Sequence, residues 1–102
     1  MDSHDLAELT SGLASRVNNL AVLTTGDNSR ALLGQQDELA KFAMAAIVKD
    51  LDAESTNYKD AIAALNAAIR VIGDADKKIA NVSKAIDSVA KAIGAVGKVL
   101  AA

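Results

Sequence analysis

The chain has 102 residues with 11 basic and 13 acidic side chains, a net charge of −2, 51% apolar residues but only two aromatic ones, and neither proline nor cysteine. That length supports one modest aliphatic core rather than two. The missing residues exclude disulfides, thiolate zinc sites and cysteine nucleophiles and leave no proline to interrupt a helix, while an acidic chain without aromatic platforms is a poor nucleic-acid binder.

A first helix is expected over residues 4–24. Ser3 can cap it, Asp5 and Glu8 favour its positive end, and Leu6, Leu9, Leu13, Val17, Leu20 and Leu23 recur at steps of three and four. Thr24-Thr25-Gly26-Asp27-Asn28-Ser29 then gathers turn formers and ends in two N-cap candidates, Asn28 and Ser29. A second helix is expected over 30–54. Its apolar residues, among them Leu32, Leu33, Leu39, Phe42, Met44, Ile47 and Val48, cover more than one stripe, the pattern of a helix contacted from two sides. Ser55-Thr56-Asn57 reads as a tight connection, with Asn57 as a cap answered by Asp60.

From Leu51 onwards one pattern dominates. Leu51, Tyr58, Leu65, Ile72, Ile79, Ile86, Ile93 and Leu100 stand seven apart at position a of a heptad, and Ala61, Ala68, Ala75, Val82, Val89 and Val96 hold position d. Arg70, Lys77, Lys84, Lys91 and Lys98 all fall at f, farthest from that seam. A sustained seven-residue apolar repeat is the mark of a helix packed along its length in coiled-coil fashion. The frame runs unbroken through Gly73, so a third helix over 57–101 is the preferred reading, with Gly73-Asp74 as the alternative break. One helix from Leu51 to Leu100 would be ~75 Å long, far beyond a compact domain of this size. The preferred chain is therefore rod-like, its overhanging end covered by another copy. The fold class expected is all-α, an antiparallel helical bundle of three helices in a single domain, or of four if the chain breaks at Gly73.

Nothing in the chain forms a phosphate-binding glycine loop, a nucleophile elbow, a helical zinc motif or a calcium loop. His4 is the only histidine, and Asp50, Asp52 and Glu54 alternate in a way that spreads carboxylates over a helix instead of converging them. No catalytic residue, cofactor or metal ligand is expected, and no enzyme. The function expected is helical interaction or assembly: a homo-oligomer, or a helical protein partner, held by Ile79, Val82, Ile86, Val89, Ile93, Val96 and Leu100. The alternative is a membrane-active protein, a toxin or translocation component, that turns its basic amphipathic end to an anionic membrane surface through Arg70, Lys77, Lys84, Lys91 and Lys98. The first residues lack a basic and then apolar leader, and no uncharged apolar run approaches ~18 residues, so cytoplasmic location is the default, with secretion that needs no cleaved signal left open. Charge is divided along the chain: residues 1–54 hold four bases against nine acids, a net of −5, and residues 55–102 seven against four, a net of +3.

Overall fold

The computed structural model describes residues 3–78 and 81–101 and places them in four helices: α1 (Ser3–Leu23), α2 (Gly26–Val48), α3 (Thr56–Lys77) and α4 (Val82–Ala101). The chain is all-α, with no strand among the described residues. Only Thr24 and Thr25 separate α1 from α2. Gly26 opens α2 with φ +66°, a left-handed conformation that glycine takes without a Cβ clash. The helix thus starts four residues earlier than the expected Arg30, and Asn28 and Ser29 lie inside its first turn instead of capping it. Ser29 has a different task. Its hydroxyl donates to the Ala21 carbonyl at 3.0 Å, and the Thr24 hydroxyl does so at 3.2 Å, which satisfies one of the carbonyls left open at the end of α1.

The second helix also stops early, at Val48 and not at 54. Continuing it would set Asp50, Asp52 and Glu54 against the negative end of the helix dipole. Those residues build the connection instead: the Asp52 carboxylate accepts the Glu54 N–H at 2.9 Å, and the Asp52 carbonyl accepts the Ser55 N–H at 3.1 Å. Leu51 is therefore in a loop, half-buried against the core, and the helical part of the heptad begins at Tyr58. The cap of α3 is Ser55 rather than Asn57. Its hydroxyl accepts the Tyr58 N–H at 3.2 Å, an arrangement worth about 1 kcal/mol.

The long helix over 57–101 is not formed. α3 runs through Gly73, which is an ordinary helical residue, and continues to Lys77; Lys78 then leaves the helix with φ −139° and ψ 100°. Ile72 and Ala75, on either side of Gly73, are both fully buried, and together they outweigh a glycine cost of about 1 kcal/mol. The chain turns back after Lys78 and reaches a Cα radius of gyration of 13.0 Å with a longest extent of 38 Å. Folding back buries the Val row of the last helix within the chain and half-covers its Ile row.

α1 packs against α2 and α3, and α4 packs against α3 and α2. Three long-range bonds give the directions. Tyr58 Oη accepts the Leu6 N–H at 3.2 Å, tying the start of α3 to the start of α1; Gln35 Nε2 donates to the Ile86 carbonyl at 2.9 Å, and Lys49 Nζ donates to the Leu100 carbonyl, tying α2 to α4 in the same sense. The core between them is aliphatic: Leu6, Leu13, Val17 and Leu20 from α1, Leu32 and Leu39 from α2, Leu65 and Ile72 from α3, and Val82, Val89 and Val96 from α4 are all buried, with Tyr58 at one end. In α3 the buried rows are a and d, as the heptad implies. In α4 they are d and g, the latter being Ala85, Ala92 and Val99, while the a row of Ile86, Ile93 and Leu100 is only half-buried. The frame persists across the turn, but the face that enters the core has rotated by one row.

Gln35 leaves one debt in this packing. Its Oε1 is buried and has no partner among the described residues, while its Nε2 bonds a carbonyl of α4. Removing both groups at once costs little, because the orphaned acceptor disappears with the bond. Gln35→Met, close in shape, is expected to leave stability unchanged or raise it by up to about 1 kcal/mol in chemical denaturation; a loss of 2 kcal/mol or more would mean that the amide is fully satisfied.

Candidate docking surface

The residues expected at an intermolecular face divide. Val82, Val89 and Val96 belong to the chain's own core, Ile86, Ile93 and Leu100 are half-buried at its edge, and Ile79 lies outside the described residues. The basic row is where the heptad puts it. Arg70, Lys77, Lys84, Lys91 and Lys98 are all exposed on the outer faces of α3 and α4. No large apolar side chain is exposed on those two helices among the described residues, so the row offers charge without an apolar surface beside it.

The exposed large apolar residues lie elsewhere: Val22, Leu23, Leu33, Met44, Ile47 and Val48, all on α1 and α2. Met44 is 71% exposed, Ile47 60% and Val48 85%. Their placement follows from helical periodicity. Leu32, Leu39, Ala43 and Ala46 form the stripe of α2 that enters the core, and Leu33, Ala40, Met44 and Ile47, at i, i+7, i+11 and i+14, form a second stripe about a quarter-turn away. The sequence shows both stripes, and α1 and α4 cover only one of them. On α1 the facing row is small and polar, with Ser11, Ser15 and Asn18 exposed.

Between the two rows runs an open groove of about 970 Å³. Ala7, Ala14 and Ala43 form its nearly buried floor, Ser11, Gly12 and Ser15 line one wall, and Met44 and Ile47 stand on the other. A Cβ added at Gly12 would meet nothing within 4 Å, so the glycine widens a hollow instead of admitting a packed neighbour. Glu8 and His4, at one end, are the ionisable residues on the lining. Among the neighbouring charges of α2, Asp37 pairs with Lys41 at 3.5 Å and Asp27 with Arg30, and Glu38 adds an exposed carboxylate. A small-residue floor beside protruding Met and Ile admits the apolar side of another helix, the geometry of helix-in-groove recognition.

Two smaller clefts carry the remaining polar candidates. Asp5, Glu8 and Asn66 border one between α1 and α3, and Asn57, Asp60, Lys91 and Lys98 border one between α3 and α4. No group of three or more His, Asp or Glu among the described residues is placed to hold a metal ion. No described helix is long and apolar enough to cross a membrane. Comparison of the chain with protein-family models finds no match, and comparisons with curated proteins and with solved structures find none either.

Proposed function

We propose that this chain is a non-enzymatic helical interaction protein: an antiparallel four-helix bundle whose first hairpin, α1 and α2, offers its outer groove to a partner helix. One observation carries the reading. The large apolar side chains exposed among the described residues are all on that hairpin, where Met44 and Ile47 flank a groove, while the outer faces of α3 and α4 are polar and basic. An exposed apolar patch costs solubility and is kept where it meets something. A photo-crosslinking residue placed at Met44, in cells that make the protein, is expected to give discrete protein adducts, and the same residue at Lys84 is not. Adducts from Lys84 alone would overturn the reading.

The membrane reading has the exposed basic row in its favour, but insertion would require α4 to leave the core with Val82, Val89 and Val96. Leakage of dye from anionic vesicles on addition of the protein would favour it over helix docking.

A further inference from the structure

We propose that the exposed side of α4, with the last turns of α3, docks on the headgroups of an anionic lipid bilayer by charge alone, with the bundle closed. The proposal goes beyond the reading of the first hairpin and does not depend on it: α4 packs on α2 and α3, so its exposed side faces away from the groove beside Met44.

The unpaired cations of the chain are gathered there. Among the described residues Arg30, Lys41 and Lys59 are paired with Asp27, Asp37 and Glu54, and Lys49 bonds the Leu100 carbonyl. Arg16 stands apart on α1. Arg70, Lys77, Lys78, Lys84, Lys91 and Lys98 are all exposed, and none of them forms an ion pair among the described residues. The turn after Lys78 sets the last turns of α3 beside Lys84 at the start of α4, and Lys91 and Lys98 continue the line for about 21 Å of helix.

The acids of this hairpin do not cancel the row. They are Asp60, Asp74, Asp76 and Asp87, all exposed, so six unpaired bases less four acids leave a net of +2. None stands at f: Asp60 and Asp74 take c, Asp87 takes b and Asp76 takes e. All four are aspartate, with the carboxylate close to the backbone, whereas each base carries its charge at the end of a long flexible stem. The outermost layer is therefore cationic, and screening over about 10 Å at 0.1 M salt lets the nearest layer count most. Asp50, Asp52 and Glu54 lie at the far end, in the connection before α3.

The lack of an apolar anchor selects the partner. No large apolar side chain is exposed on α3 or α4 among the described residues, and Ala90 and Gly94 are what stand between the lysines of α4. A protein partner draws most of its affinity from buried apolar and aromatic anchors, which this face does not offer. An anionic bilayer needs none, because its smeared surface potential attracts each base separately. Tyr58 is buried, so no aromatic ring is offered for stacking nucleic-acid bases here.

The experiment is co-sedimentation of the full chain with dye-filled vesicles, at about 50 and 300 mM salt. One set is phosphatidylcholine and the other is phosphatidylcholine with an equal part of phosphatidylserine. Binding is expected to the phosphatidylserine vesicles alone, without release of dye, and at least about ten-fold weaker at the higher salt. Lys84→Gln, Lys91→Gln and Lys98→Gln together are expected to weaken it about 100-fold, at about five-fold for each base lost from the surface. Arg16→Gln, Arg30→Gln and Lys41→Gln together remove the same charge from the first hairpin and are expected to weaken it by no more than about three-fold. All six positions are exposed, and circular dichroism checks that both triple variants stay folded. No binding to phosphatidylserine vesicles at the lower salt, or equal losses for the two triple variants, overturns the proposal. Binding with release of dye also overturns it, because α4 has then left the core. Capture of a DNA duplex of about 20 bp at the lower salt, with the vesicles left free, assigns the row to nucleic acid instead.

Discussion

Tyr58→Ala is expected to destabilise the chain by about 3–5 kcal/mol, the cost of deleting a large buried side chain. Tyr58 is the largest fully buried residue, at the point where α3 meets α1. Its ring fills the end of an otherwise aliphatic core, and its hydroxyl accepts the N–H of Leu6 in the first turn of α1. Tyr58→Phe separates the two contributions. It keeps the ring and removes the hydroxyl with its bond to the Leu6 N–H, at about 0.5–1.5 kcal/mol. For a chain of this size the alanine variant should lower Tm by at least about 12 °C and the phenylalanine variant by less than half as much as the alanine variant. Equal losses for both would place all of the effect in the hydroxyl.

Val89→Asp is expected to abolish cooperative unfolding altogether. Val89 is buried within the chain, so the variant puts an unpaired carboxylate into the core, at a cost of several kcal/mol against a total stability of about 5–15 kcal/mol for a domain of this length. Circular dichroism at micromolar concentration should show lost helix and no sigmoidal melt. Lys91→Asp, on the exposed face of the same helix, should change stability by no more than about 0.5 kcal/mol. A folded Val89→Asp whose only change is a smaller mass in solution would return the d row to an interface between chains.

How far the fold can be read from the sequence follows from which of its signals are local. The helical class, the apolar row of α1 from Leu6 to Leu20 and the exposure of the basic row are all set by periodicity within one helix. The break after Lys78 is not, because the apolar repeat of the sequence stays in phase from Ile72 to Ile86, and a repeat in phase reads the same whether the helix continues or folds back. Gly73, the conspicuous breaker, is carried inside α3 by the burial of Ile72 and Ala75 on either side of it. The helix ends at Val48 and Ser55 were misplaced for a smaller reason: several residues could cap or stop a helix there, and hydrogen bonds to Asp52 and from Tyr58 choose among them.

The groove was half legible. An excess of apolar residues on α2 is visible in the sequence, but which stripe remains open depends on where α4 lands, with Gly97 under the ring of Phe42 and Gln35 on the Ile86 carbonyl. That placement is non-local. The residues with the strongest repeat, Val82, Val89 and Val96 among them, are buried in the chain's own core, which is why the proposed docking surface lies on the first hairpin.

Methyl-resolved NMR of the unmodified chain with a soluble paramagnetic probe tests this account most directly, because one experiment reads both surfaces. Broadening of the Met44, Ile47 and Leu33 methyls by the probe, with those of Val82, Val89 and Val96 protected, is the result predicted. Broadening at Val82, Val89 and Val96 with Met44 and Ile47 shielded would contradict it.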